Sequence, residues 1–118
     1  MNLLVSDIDD TVVKDEKPVL PMCLLLQTLH NGGWQLIFVT SRQAKLRIPT
    51  MQWLLQYCPV GDLILMRPTD NYDPAPLLKQ ELVRPMLNGF INIIAIDSRD
   101  DVCAAYQQIG IKVLQCMP

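Results

Sequence analysis

The sequence has no long apolar run, no paired cysteine motif and no large excess of charge of one sign. No stretch approaches the roughly 18 uninterrupted apolar residues that a membrane-spanning helix needs. Its four cysteines form neither a CxxC pair nor the Cys/His spacing of a zinc site, so we expect reduced thiols in an intracellular protein. Ten Lys and Arg against twelve Asp and Glu give a net charge of −2, which excludes a generally basic nucleic-acid binder.

Two further features are absent. The first apolar segment has no basic residues before it and meets an acid at Asp7, so we expect no signal peptide and a cytoplasmic location. The chain contains no GxxxxGK[ST] loop, which excludes a kinase activity of the P-loop type within it. With 118 residues, half of them apolar, the chain can bury a core without disulfides, and we expect a single domain over 1–118.

Short apolar segments alternate with helical ones along the chain. We expect strands at 3–5, 34–39, 63–66, 91–96 and 111–114, and helices at 22–30, from about 49 to the stop at 58–61, and at 75–87 and 100–109. Pro18 and Pro21 argue against an earlier start of the first helix, and Pro85 should end or kink the third. The alternation predicts a three-layer α/β fold with a five-stranded, mostly parallel sheet and helices on both faces.

Polar residues follow the predicted strands, at the sheet edge where ligands bind in folds of this kind. Asp7 and Asp9 end the first strand, Thr40 the second and Asp97 the fourth. Asp7 and Asp9 lie two residues apart, so both carboxylates face one side while the chain is extended. Crowded carboxylates repel one another unless a cation compensates them, and Mg²⁺ takes one or two carboxylates, waters and a phosphate oxygen. The sequence therefore predicts phosphate chemistry that depends on Mg²⁺.

Phosphoryl transfer needs groups besides the metal. A carboxylate that attacks a phosphoryl group requires donors and cations on the phosphoryl oxygens. Thr40 can donate its hydroxyl, and Lys79 can supply a positive charge if its helix folds over the sheet edge. Asp9 can protonate the leaving alcohol and then deprotonate the attacking water.

These residues resemble, in order and spacing, the four motifs of the haloacid dehalogenase (HAD) superfamily of phosphotransferases. The segment Asp7–Thr11 is similar to the first motif, Val39–Arg42 to the second, Lys79 to the third and Ile96–Asp101 to the fourth. The later half also resembles the phosphatase domain of polynucleotide kinase–phosphatases, through 65–68, Asp70, Asp73, Lys79, Asp97-x-Arg99 and 110–115. The resemblance implies a Rossmann-like, HAD-like fold, and the first connector is too short for a cap domain.

The resemblance also implies a role for each matching residue. Asp7 would be the nucleophile that forms an aspartyl-phosphate, and Asp9 the general acid and base. Thr40 and Lys79 would bind the transferring phosphoryl group. The implied Mg²⁺ ligands are Asp7, Asp9 through its backbone carbonyl, Asp97, and Asp101 through metal-bound waters. The expected substrate contacts are Thr11, Ser41, Arg42 and Arg67. Several positions depart from the pattern: Asp10 stands where glycine is common, Ser98 replaces an aspartate often found beside Asp97, and the segment Thr40–Arg42 lacks a glycine that is frequent before the arginine.

The expected substrate is a bulky or polymeric phosphate ester, because a site without a cap is open. When the six acids of the candidate site are set aside, the rest of the chain has ten basic and six acidic residues. Some of these basic residues are expected to form a basic rim that contacts a nucleic-acid backbone: Lys14, Lys17, Arg42, Lys45, Arg47 and Arg67. We favour a phosphomonoesterase acting on a polynucleotide 3′-phosphate or a nucleotide-like ester. Arg47 and Arg67 are equally compatible with surface charge, and Trp34 and Trp53 are most simply core residues.

Two alternatives remain open. One is a catalytically weak HAD-like protein that binds metal or phosphate without turnover. The other is a phosphoacceptor domain like a response-regulator receiver, which would need an acceptor aspartate after the third strand and a lysine after the fifth. Oligomeric state and protein partners are not indicated by the sequence.

Overall fold

The computed structural model describes residues 1–58 and 61–117. Its centre is a five-stranded sheet, all parallel, in the order β5-β4-β1-β6-β7. The sheet strands are β1 (Asn2–Ser6), β4 (Gln35–Gln43), β5 (Leu63–Arg67), β6 (Asn92–Asp97) and β7 (Lys112–Gln115), and a small hairpin follows β1, made of β2 (Val13–Lys14) and β3 (Lys17–Pro18). The helices are α1 (Leu20–Asn31), α2 (Arg47–Tyr57), α3 (Ala75–Val83) and α4 (Asp100–Gln108). The expected α/β fold is confirmed.

Helices cover both faces of the sheet, as predicted. Successive side chains of β1 point to opposite faces, so Leu4 packs with Leu26 of α1 and Leu54 of α2. Leu3 and Val5 belong instead to the core that holds Val83 of α3, Val102 and Tyr106 of α4. This burial on both faces explains why the central strands are continuous apolar runs rather than alternating ones.

Several element boundaries differ from those expected. Helix α1 begins at Leu20, so the interpretation of Pro21 was wrong: proline is tolerated in the first helical turn, where its missing N–H has no partner to lose. Strand β4 runs on to Gln43 through an irregularity between Thr40 and Gln43. Helix α3 ends at Val83 and a 3₁₀ helix (Arg84–Gly89) follows, so Pro85 does end it. Part of the stop expected after α2, at 59–60, lies outside the described residues.

The connector after β1 was expected to be irregular, but it contains the β2–β3 hairpin. Its turn places Asp15 and Glu16 in the left-handed region, with φ of 51° and 63°. Asp10, at the position where glycine is common, has φ of 62°, a conformation that aspartate tolerates better than most residues. In the described residues neither this hairpin nor the loop at 68–74 amounts to a cap domain, as expected. Among those residues no helix has both the length and the apolar character to cross a bilayer.

Candidate active site

Three charged side chains from distant parts of the chain meet at the carboxyl end of the sheet. Asp7 directly follows β1, Asp97 is the last residue of β6, and Lys79 lies in α3. The Nζ atom of Lys79 donates to Asp7 Oδ1 at 2.8 Å and to Asp97 Oδ2 at 2.7 Å. All three residues are buried, with exposed fractions of 7% for Asp7, 2% for Lys79 and 0% for Asp97. We call this group the buried triad.

The electrostatics of the buried triad follow from its loss of water. Burial raises the pKa of Asp7 to about 6, because desolvation outweighs the stabilising charge of Lys79. Burial alone would lower the pKa of Lys79, but the carboxylates of Asp7 and Asp97 together raise it above its usual value. The lysine therefore stays protonated while it faces two acids. One cation between two carboxylates leaves the pocket able to take a second positive charge.

Neighbouring donors fix the orientation of both carboxylates. Thr11 Oγ1 donates to Asp7 Oδ2 at 3.3 Å, and the Arg99 backbone N–H donates to Asp97 Oδ1 at 3.0 Å. The Asp7 backbone N–H also donates to the Ile96 carbonyl at 3.0 Å, which ties the end of β1 to β6. Thr11, expected as a substrate contact, thus touches the nucleophile candidate directly.

Asp9 and Asp101 lie outside the buried triad, each paired with an arginine. Arg42 Nε and Nη2 donate to the two oxygens of Asp9 at 2.9 and 2.7 Å, and Arg99 holds Asp101 in the same two-pronged way at 3.0 and 2.7 Å. The hydrogen bond with Asp9 raises the pKa of Arg42, and the one from Arg99 lowers the pKa of Asp101. Both pairs are partly open to solvent.

Thr40 is buried near the end of β4, the strand beside β1. Its Oγ1 accepts a hydrogen bond from the Arg42 backbone N–H at 3.1 Å, which leaves the hydroxyl hydrogen available for an incoming oxygen. The Ser41 carbonyl accepts from Arg67 Nε at 3.0 Å. The guanidinium of Arg67 also holds the loop after β5, through Asn71 and the carbonyl of Asp73. The roles of Ser41 and Arg67 in substrate binding therefore remain predictions.

The side chains of the four predicted Mg²⁺ ligands do not gather at one point, and for Asp9 the predicted ligand is the backbone carbonyl. Among the described residues, no group of three or more His, Cys, Asp or Glu side chains is placed to hold a metal ion. Asp9 and Asp101 face their arginines, whereas Asp7 and Asp97 share the Nζ atom of Lys79. The carboxylates of Asp7 and Asp97 supply the hard oxygen donors that Mg²⁺ prefers. Asp7 and Asp97 therefore fit the ion; ligation by Asp9 and Asp101 remains a prediction.

One further residue of this region escaped the sequence analysis. Thr50 of α2 is buried, and its Oγ1 accepts from Arg42 Nη1 at 3.2 Å, so Arg42 bridges Asp9 and α2. No local signal in the sequence marks it, because α2 also carries the polar residues Gln52 and Gln56. Arg47, expected on the basic rim, instead donates to the Ile64 carbonyl on the edge strand β5 at 3.0 Å. This hydrogen bond gives a backbone carbonyl of the edge strand a donor.

The chain resembles known proteins over nearly its whole length. A family model described as polynucleotide kinase PNKP phosphatase domain matches residues 5–118. A protein of Autographa californica nuclear polyhedrosis virus, named as a bifunctional polynucleotide kinase/RNA ligase, is 28% identical over 112 residues. That match covers 92% of this chain but 16% of the viral protein, so the chain spans a small part of its relative.

Solved structures share the fold. A chain in a Pnkp1/Rnl/Hen1 complex superposes with a TM-score of 0.89 at 21% identity, over 98% of this chain and 46% of that one. The core domain of a protein named as a phosphoglycolate phosphatase, from Streptococcus pneumoniae, superposes with a TM-score of 0.65 at 16% identity, over 99% of this chain and 80% of that one. At these identities the likeness shows the fold.

Proposed function

The chain belongs to the family of the polynucleotide kinase PNKP phosphatase domain and is a HAD-type phosphatase, and from this premise we propose that it hydrolyses the terminal phosphate of a polynucleotide through an aspartyl-phosphate, with Mg²⁺ as cofactor. The buried triad carries the proposal, because it holds a carboxylate, a cation and a second carboxylate within hydrogen-bonding distance at the carboxyl end of a parallel sheet. Family membership disfavours both the receiver-like alternative and a domain that only binds phosphate.

In the first step Asp7 attacks the phosphorus atom. An oxygen of its carboxylate forms the new P–O bond, the bond to the leaving alcohol breaks, and Asp9 gives its proton to that oxygen. Lys79 and the Thr40 hydroxyl stabilise charge on the phosphoryl oxygens. In the second step water attacks the same phosphorus and Asp9 takes its proton. The aspartyl bond breaks, and Asp7 and inorganic phosphate are released.

The acid role of Asp9 requires a change of partner. Both of its oxygens accept hydrogen bonds from Arg42, a donor-only group that competes with a proton for the same oxygens. A phosphoryl group beside Asp7 offers Arg42 a competing anion with matching geometry. Transfer of Arg42 to the substrate would free Asp9 to take up the proton that it later donates.

Asp7 and Asp97 would hold the Mg²⁺ ion. When bound, the ion neutralises charge on the phosphoryl group and on the two carboxylates. Asp97 is oriented for this by the Arg99 backbone N–H, and Asp7 by Thr11. Removal of Mg²⁺ with a chelator should abolish hydrolysis and addition of Mg²⁺ should restore it; undiminished turnover in the chelator would contradict the cofactor assignment.

Asp7→Asn tests the nucleophile. The amide keeps an oxygen toward Lys79 but cannot form the aspartyl-phosphate, so we expect hydrolysis of 3′-phosphorylated oligonucleotides to fall by at least roughly 10³-fold. Asp70→Asn is the matched control, because Asp70 is exposed and lies in the left-handed region, which asparagine also tolerates. Turnover near the wild-type rate in Asp7→Asn would overturn the mechanism.

The substrate class is tested by a phosphatase panel. We compare 3′-phosphorylated oligonucleotides, 5′-phosphorylated oligonucleotides and small sugar phosphates, each with Mg²⁺. The family match favours the 3′-phosphorylated oligonucleotide, as does the lack of a cap domain among the described residues. A preference for sugar phosphates would contradict this assignment while leaving the phosphatase activity in place.

A further inference from the structure

A cavity of about 520 Å³ opens beside the active site, between the β2–β3 hairpin and α2. Its volume lies within the range of pockets that hold a small organic ligand. The residues that matter for its chemistry are Glu16, Arg42, Thr50, Trp53, Gln56 and Tyr57. The mechanism above uses only Arg42 from this set.

Arg42 joins this cavity to the reacting groups. Its guanidinium contacts Asp9 on one side, at 2.7 Å, and Thr50 on the other, at 3.2 Å. Asp9 is two residues from Asp7, and Thr50 belongs to the cavity wall. A phosphate ester bound at the buried triad would therefore direct its organic part past Arg42 toward the cavity.

The cavity wall presents an aromatic surface. Trp53 and Tyr57 lie one turn apart on α2, with ring centroids 5.1 Å apart and planes inclined at 45°. Trp53 packs partly against the core, which fixes its ring, and Tyr57 keeps 40% of its surface exposed. Bases of single-stranded nucleic acid stack on such side chains. Two polar side chains also line the cavity and can bond to the polar edge of a base. The carboxylate of Glu16 accepts hydrogen bonds, and the amide of Gln56 both donates and accepts them.

The geometry points to this cavity as a nucleobase subsite that holds the terminal base of the phosphorylated strand, with Trp53 as the stacking platform. The inference rests on the proposed function, since it assumes that the phosphate lies at the buried triad. A flat ring with polar edges uses both the aromatic wall and the polar groups. A sugar phosphate has hydroxyls for the polar groups but no planar ring to stack on the aromatic wall, so the subsite selects nucleotide ends over small phosphate esters.

The first test compares two substrates on the intact protein. One is a short 3′-phosphorylated oligonucleotide that ends in adenine, and the other is the same strand with an abasic terminal residue. We expect kcat/KM to be roughly 5- to 150-fold higher for the adenine end, the size of one base–aromatic contact. Trp53→Leu should remove most of this ratio and Trp53→Phe should retain most of it. Equal rates on the two substrates would overturn the subsite.

Leu55→Gln is the matched control on the same helix. Leu55 is 69% exposed and lines a different cavity, so its substitution should leave the ratio unchanged. Because Trp53 also contacts the core, thermal unfolding of each variant shows whether it is folded at the assay temperature. Tyr57→Ala changes a more exposed residue of the same wall, and we expect a smaller drop in the ratio; an unchanged ratio in both Tyr57→Ala and a folded Trp53→Leu would contradict the assignment.

A binding measurement separates this inference from the proposed function. Adenosine 3′-monophosphate should quench the fluorescence of Trp53, glycerol phosphate should not, and Trp53→Leu should lose the quenching. Quenching without hydrolysis of any phosphate ester would support the subsite and contradict the phosphatase mechanism. Hydrolysis of both oligonucleotides at one rate, without quenching, would support the phosphatase mechanism and contradict the subsite.

Discussion

The buried triad and the two arginine–carboxylate pairs have nearly the same hydrogen-bond lengths but different surroundings. Lys79 contacts its carboxylates at 2.7 and 2.8 Å in the interior, whereas Asp9–Arg42 and Asp101–Arg99 reach 2.7 Å at the surface. A buried ion that loses its partner keeps its full desolvation penalty, but an exposed ion regains water. The lesson is that the environment, rather than the distance, decides how much each pair matters to folding.

The largest effect on stability is expected from Lys79→Met. The change leaves two buried carboxylates facing each other without a cation, which should cost about 3–5 kcal/mol of the free energy of unfolding. Urea unfolding without Mg²⁺ measures this loss, and Lys112→Met on the exposed part of β7 is the control. A midpoint equal to that of the wild type would show that the buried triad is not the costly arrangement that its burial indicates.

The double variant Lys79→Met, Asp97→Asn sharpens the same comparison. It removes one of the two unpaired carboxylates together with the lysine, so the repulsion disappears. We expect it to be more stable than Lys79→Met alone, by roughly 1–3 kcal/mol in urea unfolding, the usual size of coupling between residues in contact. If the double variant loses as much stability as the two single variants together, the two side chains do not interact energetically.

Arg42→Ala should separate folding from activity. Its pair with Asp9 is partly exposed, so we expect a loss of stability of no more than about 1 kcal/mol. The same change removes a cation from the phosphate pocket, and kcat/KM should fall by roughly 10²-fold or more. Arg84→Ala, which breaks an exposed helical contact with Glu81, is the control. A large loss of stability in Arg42→Ala would place this arginine with the structural residues.

The smallest effect is expected at Arg99 and Asp101. A double-mutant cycle with alanine at each position should give a coupling energy of about 0.2–1 kcal/mol, since both side chains are about half exposed. High salt should reduce the coupling further by screening. A coupling of several kcal/mol that resists salt would show that this pair behaves like a buried one.

Most of the fold follows from local sequence patterns. The order of strands and helices, and the polar residues at the strand ends, are properties of short segments, and periodicity and turn residues reveal them. The β2–β3 hairpin did not follow, because its strands have two residues each and its turn uses Asp15 and Glu16 in place of glycine or asparagine. Pro21 misled because its effect depends on its position within the first turn of a helix.

The site was predictable as a set of residues but not as a network of partners. Asp7, Lys79 and Asp97 were expected together on the motif order, and the structure joins them by direct contacts. No local pattern shows that Arg42 pairs with the Asp9 side chain, because that pairing depends on how β4 lies beside β1. Trp53, expected in the core, does pack against it, and the sequence alone did not show that the same residue also lines a cavity.

The contact between Lys79 and Asp7 joins residues 72 positions apart, and the contact with Asp97 spans a further 18. Contacts of this range form late in folding, because the entropy of closing the intervening loops must be overcome first. An elongating chain therefore lacks the complete buried triad until β6 has been synthesised and has joined the sheet. The buried triad is therefore completed together with the sheet, and partly made chains lack it.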